Sequence, residues 1–212
     1  ASDVYKRQVN VSLSTGNALA TMPAGTTFST KVDGVNYQFV TIEDVTKQNT
    51  GNAIPFDSTE VYEGTYATTK YLVDSNDLDQ RFMLTDVRAD TSTLTVRVQN
   101  STSDTTTTTY TKATDITQLS SSSTVYYLQE TDSGKYEVYF GDGTVSKALS
   151  DGNIVILQYV VTNKTLANGP SSFATPSSID GVTNITVTTV ASAAGGSEAE
   201  TIDSIKLRAP LD

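Results

Sequence analysis

The sequence predicts a mainly β protein, α+β overall, in which antiparallel sheets with hairpins carry one short C-terminal helix. Segments rich in Val, Ile, Thr, Tyr and Phe recur at spacings of about ten residues between glycine-bearing turns, the pattern of sandwiches and barrels rather than of alternating strands and helices. Within most segments apolar and polar residues alternate with period two, which suits strands with one buried face. Apolar residues at helical spacing stand near the C-terminus.

Residues 1–8 (ASDVYKRQ) fit neither a strand period nor a capped helix and read as a non-native or disordered end. From there Val9, Val11 and Leu13 alternate as a strand, and Gly16-Asn17 is a turn signal. Met22-Pro23-Ala24-Gly25 makes a tight bend, because proline fixes φ and glycine permits the reversal. Thr26–Thr30 and Tyr37–Ile42 are strands joined across Asp33-Gly34, a strong short-range hairpin signal. Thr46–Asp57, polar and carrying Gly51 and Pro55, reads as a connection.

A second set of strands opens at Val61-Tyr62-Glu63-Gly64-Thr65-Tyr66 and continues through Lys70–Val73, Arg81–Leu84 and Thr93–Gln99. Asp74-Ser75-Asn76-Asp77-Leu78-Asp79 invites a calcium reading, but Leu78 and Asp79 stand where an EF-hand loop needs an acceptor and a glycine, so a solvated loop is expected. Ser101–Ser123 is dominated by Ser and Thr without proline, which favours exposed β-edge and loop over a glycosylated stalk. Asn-X-Ser/Thr triplets at Asn10, Asn100, Asn163 and Asn184 arise by chance in a chain so rich in Ser and Thr.

Lys135–Tyr159 is the stretch around which the other strands are expected to assemble. Tyr136, Val138 and Phe140 alternate with polar neighbours before Gly141-Asp142-Gly143, and Gly152-Asn153 launches the unbroken apolar run Ile154-Val155-Ile156-Leu157. The two strands read as a hairpin, with Gly141, Asp142, Gly143, Gly152 and Asn153 as structural turn residues. Phosphate binding at this loop is disfavoured, since no Lys or Ser/Thr follows at P-loop spacing. Farther on, Ser197 and Glu200 form a capping box, and Ala199, Ile202, Ile205 and Ala209 give the following helix one apolar face up to Pro210. That stripe needs a sheet to cover. The organisation expected is residues 9–57 with 171–212 as one discontinuous α+β core, incomplete at its C-terminus, and 58–170 as an inserted β domain. Ile202 and Ile205 are then expected to touch the Val9–Ile42 strands.

With 24 acidic and 14 basic side chains the formal charge is −10, which repels a phosphate backbone, so nucleic acid is not an expected partner. No apolar run approaches the roughly 20 residues that span a bilayer, and no membrane partner is expected. Cysteine and histidine are both absent, which removes disulfides, thiol catalysis, Ser-His-Asp triads and the commonest metal ligands. No catalytic, cofactor-binding or metal-ligating residues are assigned, and the expectation is a protein that is not an enzyme.

Phe140-Gly141-Asp142-Gly143 with Gly152-Asn153, then Tyr159 and Asn168-Gly169, resembles the baseplate wedge protein of contractile-tailed phages, in the baseplate J-like family. Pro23-Ala24-Gly25-Thr26 with Tyr37–Asp44, Val61-Tyr62-Glu63-Gly64, and Gly195-Gly196-Ser197-Glu198 running to Ala209-Pro210 agree with it in order. One departure is that Ser146 stands near the place of a further glycine in the family's turn. The resemblance implies an internal fragment of a longer structural subunit located in the virion tail baseplate, assembled in the host cytoplasm. It also implies contacts with other wedge subunits and with a second copy in a dimer, within a ring around the tail hub that rearranges on sheath contraction. An alternative is a β-sandwich adhesin recognising a surface glycan or protein through loops such as Tyr62–Tyr71, which eleven tyrosines permit. A third reading, an acidic glycosidase, would need a carboxylate pair about 5 to 10 Å apart in a cleft.

Overall fold

Alternation of apolar residues becomes fourteen strands among the described residues, which in this computed structural model are 6–77, 79–163 and 172–190. The first seven are β1 (Lys6–Ser14), β2 (Leu19–Met22), β3 (Thr27–Val32), β4 (Val35–Val40), β5 (Val45–Gln48), β6 (Ala53–Glu63) and β7 (Thr65–Leu72). There follow β8 (Phe82–Met83), β9 (Ala89–Gln99), β10 (Thr107–Lys112), β11 (Val125–Glu130), β12 (Tyr136–Tyr139), β13 (Ile154–Val161) and β14 (Ile185–Thr189). The described residues contain a single 3-10 turn, Ile116–Gln118, capped by Asp115. The expected helix with its cap at Ser197 and Glu200, the contacts of Ile202 and Ile205, and Asn168-Gly169 all lie outside the described residues. Two compact units divide the chain, one up to Tyr66 and from Thr162 on, the other Ala67–Val161.

The first unit is a five-stranded sheet in the order β14-β1-β6-β4-β3, antiparallel throughout, with a two-stranded sheet β2-β5. Val9, Val11 and Leu13 of β1, Ile54 and Phe56 of β6, and Phe28 and Phe39 of the hairpin all enter one core with Met22, Phe173 and Ile179. The β3-β4 hairpin turns at Asp33 (φ 49°) and Gly34 (φ 86°), the left-handed pair that a two-residue turn between twisted strands demands.

Thr46–Asp57, expected as a connection, instead holds β5 and the start of β6. Ile54 and Phe56, two apart, are both buried, and this period outweighs the polar residues between them. Pro55 is tolerated because β6 pairs with β4 only at Tyr62 and Glu63, so no ladder on that side asks Pro55 for an N–H. Against Asn10 the register slips, Val9 facing Thr59 and Val11 facing Phe56, so Asp57 and Ser58 form a bulge. Ser58 takes φ 51° there, and its N–H donates to Asn10 Oδ1 at 2.8 Å.

β6 ends on a buried carboxylate. Glu63 is 1% exposed. Its Oε2 accepts from the Thr162 hydroxyl at 2.9 Å and from the Asn163 N–H at 3.2 Å, while Oε1 accepts from Asn163 Nδ2 at 3.0 Å. Gly64 follows with φ 129° and separates β6 from β7.

The second unit is one seven-stranded sheet, β7-β13-β9-β10-β11-β12-β8. The expected Lys135–Tyr159 hairpin does not form. β12 pairs with β11 and β8, whereas β13 pairs with β9 and β7, and three strands lie between β12 and β13. Strand length is the physical reason: β12 has 4 residues and β13 has 8, while β9 offers 11, so the apolar run of β13 finds a full ladder only against β9. The threonine run is also corrected. β10 is not an edge but lies between β9 and β11, antiparallel to the first and parallel to the second at Thr111 and Lys112. Its backbone is paired on both sides while every side chain except Tyr110 stays exposed, which is how a Thr-rich strand serves a sheet without feeding the core.

The end strands of this sheet meet through side chains rather than a ladder. The Tyr71 hydroxyl of β7 donates to the Met83 carbonyl of β8 at 2.5 Å, and its ring stands edge-on to Phe82 at 5.7 Å. Behind them Tyr159, fully buried, accepts the Thr85 N–H at 3.2 Å.

Glu63→Ala strips an acceptor from three donors, so it is expected to destabilise the first unit by about 3 kcal/mol, with Glu63→Gln costing less than half of that. Urea unfolding of both variants checks this, and an Ala variant as stable as the parent would show that the carboxylate contributes nothing net.

Candidate interaction site

The glycine loop after β12 owes its shape to Ser146. Gly143 takes φ 90° and its N–H donates to the Ser146 carbonyl at 3.0 Å, while Asp142 Oδ1 accepts from the Thr144 N–H at 2.9 Å. The Ser146 side chain is fully buried against Gly141, where a Cβ would stand 2.0 Å from its Oγ. Gly141 is therefore required by close approach, and Gly143 by its backbone angle. Gly152 (φ 77°) and Asn153 form a separate turn. Gly152 N–H donates to Val73 O at 3.1 Å and Val73 N–H donates to Asn153 O at 2.9 Å. The Asn153 side chain accepts from Ser150 N–H at 2.8 Å and donates to Asn100 O at 2.9 Å. The five turn residues thus make two turns, and Gly141 and Asp142 of the first border a cleft.

That cleft, about 300 Å³, has Phe82, Phe140 and Leu149 among its apolar lining and Asp74, Asp77 and Asp142 among its polar lining. Phe140 stands edge-on to Phe82 at 5.6 Å and to Tyr110 at 5.2 Å, so the floor is continuous with the core. Asp74, read from sequence as part of a solvated loop, accepts the backbone N–H and side-chain amide of Asn76 at 2.9 and 2.8 Å. Among the described residues no group of three His, Cys, Asp or Glu is placed to hold a metal. Nearby, Arg81 lies over the Tyr139 ring at 4.3 Å, and Tyr139 stacks on Tyr127 at 5.1 Å. The sequence reading missed Arg81, Phe82, Leu149 and Ser146 as site residues. Arg81-Phe82, inside a predicted strand, and Ser146, noted beside the glycine turn, carried some signal, and Leu149 carried none.

A second cleft, about 250 Å³ in the first unit, is bordered by Glu43, Asp57, Glu60 and Lys47. The Tyr62 hydroxyl, then Lys6, holds the Glu60 carboxyl below its ordinary value. The backbone N–H of Thr144 does the same for Asp142, that of Asn76 for Asp74, and the side chain of Arg88 for Asp86. Tyr62–Tyr71, offered as binding loops in the adhesin reading, are strand residues of β6 and β7 about Gly64, with Tyr71 packed on the core.

Residues 65–169 match the family described as bacteriophage baseplate wedge protein gp6, third domain. By these residues, which take in the whole seven-stranded unit, the chain is similar to the baseplate wedge proteins of bacteriophages. Among curated proteins it is similar to baseplate wedge protein gp6 of Enterobacteria phage T4, 32% identical over 111 residues, a match that covers 41% of this chain and 16% of that relative.

Gly141→Ala is expected to cost about 3 kcal/mol through the clash with Ser146, and to cost at least 1 kcal/mol less in a Ser146→Gly background. A double-mutant cycle in urea measures the difference, and strictly additive effects would contradict the packing described. Carboxyls held below their ordinary 3.8, such as Asp86 and Asp142, contribute stability that is complete above that value and is lost as pH falls through their folded values. Tm is therefore expected to hold steady above about pH 5 and to decline below about pH 4, with Asp86→Asn flattening the acid limb.

Proposed function

We propose that the chain is a structural component of a phage tail baseplate wedge, making protein–protein contacts within the ring around the tail hub and taking part in its rearrangement when the sheath contracts. The family match over residues 65–169 carries this reading. The fold supports it in physical terms: ladders, aromatic packing and side-chain-capped turns give sheet surfaces that need little ordering before they meet a partner. In this reading the partners are other wedge subunits and a second copy of the same chain.

Co-expression with the other wedge subunits of the same phage tests the proposal. The expected result is a stoichiometric complex that survives gel filtration, with light scattering of the chain alone giving twice its 22.6 kDa. A chain that stays monomeric and joins no wedge subunit would overturn the reading.

A further inference from the structure

The cleft beside Gly141-Asp142-Gly143 has an apolar aromatic floor, an acidic mouth and, among the described residues, no lysine or arginine in its lining. Its volume of about 300 Å³ stands at the small end of the range, roughly 300–1,000 Å³, in which drug-sized ligands are held. One long side chain fills it better than a cofactor would. The walls are fixed in advance. Gln80 Oε1 accepts from the Asp74 N–H at 3.1 Å, Gln80 Nε2 donates to Leu72 O at 3.0 Å, and Ser75 N–H donates to Asp151 Oδ1 at 3.1 Å. On the opposite wall the Thr144 N–H holds the Asp142 carboxylate, and the Ser146 carbonyl holds the Gly143 that follows it. Asp74, Asp77 and Asp142 each cap a turn through Oδ1, so their charges cannot swing away from the mouth without breaking it. The nearby Arg81 is committed to the Tyr139 ring and to Asp79, at 3.9 Å.

From this arrangement we infer that the cleft is a docking site for one arginine or lysine side chain of a partner protein, its aliphatic stem lying on Phe82, Phe140 and Leu149 and its cation meeting Asp74, Asp77 and Asp142. Charge complementarity selects the occupant: a long side chain that is apolar along its length and cationic at its tip matches floor and mouth together. A second copy of this chain, at −10, is a poor source of that cation. The identity of the partner as another wedge subunit rests on the function proposed above, whereas the chemistry of the occupant does not.

The test titrates the full isotope-labelled chain with N-acetyl-arginine amide, with N-acetyl-norleucine amide as the apolar comparator, and follows backbone amide resonances. Saturable shifts at Phe140, Gly141 and Leu149 with the arginine probe, and weak ones with norleucine, are expected. Asp74→Asn and Asp142→Asn, both at exposed positions, should each weaken binding by about two- to fivefold while leaving the remaining spectrum in place. Equal shifts from both probes, shifts elsewhere only, or binding indifferent to the two variants would each overturn the site. Carrying the double variant into the wedge co-expression separates the two readings. Assembly undiminished by the double variant sinks the cleft as a partner contact and leaves the assembly role standing. Arginine binding without any assembly does the reverse. Loss of self-association alone would make the occupant a second copy and also overturn the inference.

Discussion

A single buried carboxylate holds together the two segments through which the chain leaves the first unit and comes back. Glu63 closes β6 four residues before the second unit begins at Ala67, and the groups it accepts from, Thr162 and Asn163, are the first residues after that unit ends at Val161. Burying a carboxylate costs several kcal/mol. Three charge-assisted bonds of about 1.5–3 kcal/mol each offset that cost, and no neutral side chain of the same size could accept all three so well. The sheet of the first unit relies on the same strand, since β6 is the member that joins β1 to β4.

In the second unit the comparable role falls to aromatic rings. Its seven strands would present two raw edges, but the shortest strand, β8, stands at one of them, and Tyr71 bridges from the other by ring contact and hydroxyl. Phe82, Phe140 and Tyr110 continue this line of edge-on contacts inward. The cleft is the outer end of that line, where the half-buried Phe140, backed by the buried Phe82, stands between two acidic turns. Packing and the candidate site are thus one feature: the rings that close the sheet are also the floor on which a partner side chain would lie.

Ser146 shows how a side chain is absorbed beside a tight glycine turn. At position 146 this chain has a side chain that turns inward, occupies the space beside Gly141 and uses its carbonyl to fix Gly143. The extra atoms are accommodated because Gly141 has no Cβ to oppose them. A glycine retained at one position is therefore the condition for a serine at another, and neither residue can be judged alone.

Local order was legible in the sequence because its causes are local. The period-two alternation of Val9, Val11 and Leu13, the Asp33-Gly34 turn and the apolar run Ile154–Leu157 each carry a conformational preference within a few residues, and each appears as an element of the expected kind. Ile54 and Phe56 carried the same period but were outvoted by Gly51, Pro55 and polar neighbours, whose meaning depended on a missing second ladder that no local pattern reveals. Pairing was another matter. Nothing near Tyr136–Tyr139 states that its partner is β11, or that β13 must cross to β9, because ladders form where lengths and buried faces match across distant chain segments. The cleft follows the same rule: Asp74, Phe82, Phe140 and Leu149 are scattered over the sequence and become a site only after those ladders set their distances. Composition and short-range pattern therefore determined the class of protein, thiol-free, acidic and built of strands with turn-forming glycines, while tertiary pairing alone decided which strands are neighbours and where a partner can be held, since contact free energy between remote residues has no expression in either residue by itself.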